Sequence, residues 1–275
     1  MFSSNAFAAV SGSLPAGFMQ WYVGLMIVAV IVGTVADMIH KGSAKYFFAN
    51  ARKTRAQGKP VNKASIAVKT VAVDVLASGE FCNPRRRVAH LLTMYGFILY
   101  VVTTAVMVFV YPTAATPTPA LVSQLWWLGG LMVMVGGYWF WFFIRVDVAA
   151  EGSSPLRLMR ADLFILSLLA SVTAGLLWAW LQASGSAASW PFFGLYILAT
   201  TVLFGGVYWS KFAHMFFKPA AAFDKRLAEA DGTNMNLPLL SRDDPAQRER
   251  HSMELLRDAP MDMGLGIKRE APRHY

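Results

Sequence analysis

The stretch "VAHLLTMYGFILYVVTTAVMVFVYPTAATPTPALVSQLWWLGGLMVMVGGYWFWFFI", Val88–Ile144, runs for 57 residues without an Asp, Glu, Lys or Arg. A soluble helix of that length needs a solvent-facing polar stripe, and this stretch has none. A membrane-spanning helix needs about 20 mostly apolar residues, so the stretch holds two. The prolines of "YPTAATPTPALVS" (Tyr111–Ser123) divide it, which predicts spans at 88–110 and 124–144. The same reading extends outward. No charge occurs from Met1 to Ala36 or from Leu163 to Ser210. The first run predicts a span at 18–38. The second is broken at "QASGSAASWP" (Gln182–Pro191) and predicts spans at 161–181 and 192–212. The expected fold is an all-α integral membrane protein, a bundle of five transmembrane helices over residues 1–219, followed by a polar tail at 220–275.

Charge sets the expected orientation, because Lys and Arg stay on the cytoplasmic side of short loops. The loop 40–87 carries eleven basic residues against Asp74 and Glu80, and Arg145–Arg160 carries three. The N-terminal segment and the two proline- or serine-rich loops carry none. This predicts an N-terminus outside and a cytoplasmic C-terminus, in the cytoplasmic (inner) membrane. The N-terminus lacks the basic leader of a cleavable signal. Only 15% of the 275 residues are charged, against about 25% for soluble domains. The net charge of +9 lies mostly at membrane boundaries. There it sets topology and touches anionic lipid, so it gives no reason to expect nucleic-acid binding. The single Cys82 cannot form an internal disulfide, nor ligate an iron–sulfur cluster alone.

The tail from Ala220 has nine basic and ten acidic residues and few large apolar ones, too few for a core of its own. It reads either as an extension or as an arm that orders on a cytoplasmic partner. The segment "KASIAVKTVAVDVLASG" in the basic loop has mixed periodicity and suits the bilayer surface.

Polar residues inside spans are expensive and often functional, which singles out the histidines. His90 lies near the expected cytoplasmic start of the second span, and His214 near the expected cytoplasmic end of the fifth. Two imidazoles at equal depth on different helices meet the requirement of bis-histidine haem ligation, although such a pair also occurs as plain interfacial caps. Arg85, Arg86, Arg87, Lys211 and Lys218 fall at the depth where haem propionates emerge, with Arg86, Arg87 and Lys211 the candidates for that contact. Phe97, Phe212, Phe216 and Phe217 could supply apolar walls. No Cys-x-x-Cys-His attachment motif occurs, so any haem is held noncovalently. A zinc or iron site would want clustered carboxylates or cysteines, and the spans offer none. His40, one turn after Asp37, could join the cluster, touch a quinone, or be an interfacial residue without a role. The pairs Gly129–Gly130, Gly136–Gly137 and Gly205–Gly206 predict close helix packing, or, for the last, room for a haem face. Tryptophans such as Trp126, Trp127, Trp178, Trp180 and Trp190 fall near outer span ends, as in an interfacial aromatic belt.

Five spans with the N-terminus outside, His90 at the cytoplasmic start of the second and "SKFAHMFFKP" (Ser210–Pro219) ending the fifth resemble the gamma subunit of respiratory nitrate reductase. They also resemble related b-haem membrane subunits of sulfur-metabolism complexes. The resemblance covers about 18–219, and its sharpest element is Ser210, Lys211 and His214. It implies a subunit that passes electrons between quinone and a cytoplasmic partner. Two-haem relatives carry further histidines at the positions of Tyr100 and Tyr196, about 15 and 27 Å deeper along their helices. The resemblance therefore implies one haem b, the inner one. Within the family, the single histidine pair, the "EFCNPRRR" lead-in (Glu80–Arg87) and the long tail look like the membrane anchors of dissimilatory adenylylsulfate reductases. That implies a soluble flavin and iron–sulfur partner. A cofactor-free structural anchor is the alternative. A transporter has against it the apolar, aromatic or small residues at mid-span.

Overall fold

The computed structural model describes residues 2–41, 49, 59–79, 81, 83–145, 156–159, 162–210, 212 and 214–233. Lys211, Cys82, the side chains of His214 and Phe216, and the tail beyond 233 lie outside this set. The described residues are helical and contain no strand. They fall into two units. The first comprises 1–44 and 77–217, and the second 45–76 and 218–273.

In the first unit, α1 is Ala6–Val10, α2 Ala16–Lys41, α4 Pro84–Phe109, α5 Ala120–Trp139, α6 Leu163–Ala183 and α7 Ser189–Gly205. Four of these segments are long and apolar enough to cross a membrane: Ala16–His40, Pro84–Phe109, Ala120–Ile144 and Leu163–Ala183. The third of them, Ala120–Ile144, joins α5 to the π-helical turn Phe140–Ile144, into which it runs directly. Their side chains give the reason. The runs are uncharged and aliphatic, and Pro84 at the first turn with Asn83 as cap starts α4 where the arginines begin. The Asn83 Oδ1 accepts from the Arg85 and Arg86 amides at 2.9 and 3.3 Å, satisfying donors that a helix start leaves open.

The Gly-Gly pairs of α5 divide their work between two neighbours. A Cβ on Gly129 would lie 2.8 Å from the Tyr100 amide nitrogen, and one on Gly136 2.7 Å from the Ala89 carbonyl, both on α4. A Cβ on Gly130 or Gly137 would instead strike Leu176 or Leu169 of α6, at 2.8 and 2.7 Å. Small residues thus let three helices approach closely, the usual basis of packing in lipid. Gly205 behaves differently: it is exposed, and nothing lies within 4 Å of an added Cβ. That pair makes no close helix contact through Gly205.

The fifth apolar run departs from expectation. Its α-helix stops at Gly205, a 3₁₀ turn follows at Val207–Trp209, and Ser210 is extended. A new helix, α8, starts at His214 and runs to Ala230. His214 therefore opens a helix and does not close one. The Ser210 Oγ accepts from the Phe212 amide at 3.2 Å, a local bond that replaces the helical one.

The tryptophans also depart from a simple belt. Trp126, Trp127 and Trp178 are buried. The short helix α1 folds onto them: Phe7 meets Trp126 and Trp178 edge-on at 6.0 and 5.1 Å. Asn5 anchors α1. Its Oδ1 caps the helix, and its Nδ2 donates to the Tyr111 carbonyl at 2.9 Å and to Thr118 Oγ1 at 3.0 Å. Trp180, Trp190 and Trp209 are exposed, as belt residues are.

At the other end, Arg145 closes the α5–α6 connection. Its Nε donates to Asp162 Oδ1 at 2.8 Å, Nη2 also pairs with Asp162 Oδ2, and Nη2 reaches the Arg157 carbonyl at 2.7 Å. The guanidinium lies 4.2 Å over the Trp141 ring.

In the second unit, α3 (Lys63–Lys69) continues as a π-helical turn, Thr70–Leu76. Arg226 of α8 pairs with Asp74, its Nη2 donating to Asp74 Oδ1 at 2.8 Å. The Asp231 carbonyl accepts from the Lys59 amide at 3.0 Å.

Candidate functional site

His90 sits in the second turn of α4, half-buried. Its Nδ1 is hydrogen-bonded to Ser78 Oγ at 3.0 Å. Ser78 is 1% exposed and adopts φ 48°, the left-handed region that a non-glycine residue enters at a cost. The loop 77–83 is held over the start of α4 by further contacts. The Arg87 Nε donates to the Ala77 carbonyl at 2.8 Å. The Phe81 ring lies 4.8 Å from the imidazole, and the Arg86 guanidinium lies 5.6 Å over the same ring. Ser78 thereby ties the Nδ1 side of the His90 ring to the loop.

Beyond His90 an aromatic cluster fills the bundle. Phe97, two helical turns further along α4, lies 6.4 Å from Phe204 and 6.4 Å from Phe212. Phe212 in turn meets Phe164 at 5.4 Å and Phe204 at 5.9 Å. The burial of Phe212, 2% exposed, seats the chain two residues before His214 among α4, α6 and α7. His40 of α2 lies against Tyr208, ring centroids 5.6 Å apart, and Asp37 is buried one turn earlier.

Of the residues expected at a haem site, Phe97 and Phe212 are brought together, and His90 lies two helical turns before Phe97 on α4. Arg86 and Arg87 are described, and both are engaged with the 77–81 loop. Lys211 and the side chains of His214 and Phe216 are outside the described residues. The sequence reading missed Ser78, Phe81, Phe164 and Phe204. Ser78 had no signal, since a left-handed serine twelve residues upstream leaves no pattern. Phe164 and Phe204 were visible only as members of apolar runs.

The chemistry of these groups fits a haem b in kind: an imidazole with one nitrogen already held and one aromatic ring against it, an aromatic cluster further along the helix, and arginines at the helix start. Ligating histidines characteristically have their second nitrogen bonded to a neighbouring acceptor. Among the described residues no three His, Cys, Asp or Glu side chains gather as a metal cage.

The opposite half of the bundle is differently filled. Tyr100 and Tyr196 are both buried. Tyr100 stacks on Trp126 at 4.9 Å and Tyr196 on Trp178 at 5.7 Å. Gly175 makes their approach possible, since a Cβ there would lie 2.5 Å from the Tyr100 hydroxyl and 3.0 Å from the Tyr196 ring. With Phe7 this forms a continuous aromatic core. An open apolar groove of about 510 Å³ lies on α2, lined by Gln20, Trp21, Gly24, Leu25 and Val28.

No protein-family model, no curated protein and no solved structure matches the chain.

Proposed function

We propose that this protein is a multi-pass anchor of the cytoplasmic membrane that carries one haem b and passes electrons between quinone and a cytoplasmic oxidoreductase. The observation that carries the reading is the hydrogen bond between Ser78 Oγ and His90 Nδ1, the kind of contact by which a ligating histidine is characteristically oriented. His90 and His214 are the axial ligands, and Arg86, Arg87 and Lys211 lie at the propionate end. When bound, the haem supplies one-electron chemistry. The chain's own residues orient the imidazole, through Ser78, and exclude water, through Phe97, Phe164, Phe204 and Phe212. The aromatic packing of Tyr100, Trp126, Trp178 and Tyr196 supports a count of one haem.

The bundle has five spans in this reading. The 17 residues of α7 rise about 25 Å, and the following 3₁₀ turn adds about 6 Å. Together they match the roughly 30 Å of hydrocarbon. The basic residues of 40–87 place that loop, and with it the C-terminus, on the cytoplasmic side, where a flavin and iron–sulfur partner such as an adenylylsulfate reductase docks.

A second reading, a cofactor-free anchor, draws on the mutual contact of the Phe97, Phe204 and Phe212 rings. A reduced-minus-oxidised spectrum of gently extracted protein separates the two. A b-type band that also forms on adding a quinol analogue supports the electron carrier. A featureless spectrum leaves the cofactor-free anchor.

A further inference from the structure

We infer that the helix Lys63–Leu76 is an interfacial anchor whose exposed face docks on an anionic lipid surface. This inference rests on the membrane-spanning reading of the chain and not on the haem.

The helix begins as α3, capped by Asn62, whose Oδ1 accepts from the Ser65 amide at 3.1 Å. It then widens into the π-helical turn Thr70–Leu76. Widening changes which residues share a face. An α-helix drifts by about 40° over four residues, because four exceeds its 3.6-residue turn. A turn wound with i+5 bonds offsets that drift. Residues four apart then stay in register. Two rows result. Ile66, Thr70 and Asp74 form the inner row, with Thr70 2% exposed and Asp74 bonded to Arg226. Val68, Ala72 and Leu76 form the outer row, with Val71 beside it. Val68 is 70% exposed, Val71 50% and Leu76 49%.

An exposed aliphatic row is costly in water and calls for a cover. The charges around it specify which. Lys63 and Lys69 flank the row on its two sides and are exposed, and exposed Lys59 precedes it. The acid on this helix, Asp74, is engaged by Arg226 on the opposite row. An apolar stripe with lysines on its flanks and its carboxylate turned away fits headgroup phosphates above acyl chains. Seven residues, 77–83, separate Leu76 from Pro84, which begins a helix of spanning length. Seven residues reach at most about 25 Å.

The test uses the full chain with Cys82→Ser and Val68→Cys, carrying a nitroxide at position 68, in nanodiscs of phosphatidylcholine with or without phosphatidylglycerol. Power saturation with oxygen and with a water-soluble nickel chelate reads depth. The expected result is a label several-fold more accessible to oxygen than to nickel in the anionic discs. The ratio falls towards the water value with Lys63→Glu/Lys69→Glu. A label equally open to nickel in both lipids overturns the inference. So does a label shielded from both reagents, which assigns the face to a protein partner. A lipid-like ratio that ignores both phosphatidylglycerol and the charge reversals overturns the anionic assignment. If the chain does not enter the discs at all, the membrane reading itself fails, and the size of the particles shows this separately.

Discussion

The ring of His90 is held by a serine in a conformation serines avoid. Ser78 sits at φ 48° and reaches His90 Nδ1 at 3.0 Å. A hydrogen bond from Nδ1–H to an acceptor makes the imidazole a stronger donor to iron and favours the oxidised state. In the proposed haem protein, with Nδ1 protonated, Ser78→Ala removes that acceptor and is expected to raise the midpoint potential. The shift is on the order of 40 mV, the one-electron equivalent of a bond worth about 1 kcal/mol. Ser78→Gly removes the same acceptor but relieves the backbone. Redox titration of both variants should show the same shift, while only Ser78→Gly keeps the loop folded at no cost. A shift in neither variant removes Ser78 from the site. Outside the spans, Arg226 holds the Asp74 carboxyl below its ordinary range, chiefly through their hydrogen bond. A depressed folded value contributes stability that is present above the unfolded value, about 3.9. It is lost as the pH falls through the folded value. Asp74→Asn should therefore loosen the pairing of Lys63–Leu76 with α8 by up to about 1 kcal/mol at neutral pH. Only once the pH is below that depressed folded value should the variant and the parent converge. Amide exchange over 63–76 measures it.

At the scale of helices, one seam controls the site. Gly136 lies against the Ala89 carbonyl, with only 2.7 Å available to a Cβ, and Ala89 precedes His90. Gly136→Val forces α4 away from α5, at about 1–3 kcal/mol for overpacking, and swings His90 with it. Lower thermal stability and reduced haem content are expected together. Gly205→Ala is the control: nothing lies within 4 Å of the new methyl, so neither quantity should fall. Thermal melts and haem absorbance on the two variants check this. The seam was half legible in the sequence. The glycine pairs are conspicuous, but which glycine faces which helix depends on the 100° between neighbours and on the order in which α4, α5 and α6 pack. The break after Gly205 was not legible. Residues 206–210 sit inside an uncharged aromatic run with no proline, so the run length read as one helix. The stop lies in backbone geometry and in Ser210 bonding its own segment.

For the whole molecule, length and charge carried most of the reading. Spans at 18–38, 88–110, 124–144 and 161–181 are met by helices that overlap them closely, because charge-free length is a requirement that lipid imposes directly. The aromatic core was hidden for the converse reason. Trp126 and Trp178 have the composition and position of belt residues, and the folding of α1 onto them, with Phe7 3% exposed, together with the stacked Tyr100 and Tyr196, makes them core. That core is also why the account expects a single cofactor. One half of the bundle is closed by Tyr100, Tyr196 and their tryptophans, while His90 stands in the other. The most direct test is the haem content per chain, by pyridine haemochrome against protein quantitation, for the parent, His90→Ala and His214→Ala. The account predicts one haem per chain in the parent and almost none in either variant, with all three still in the membrane. No haem in the parent, two per chain, or a content untouched by both substitutions would contradict it.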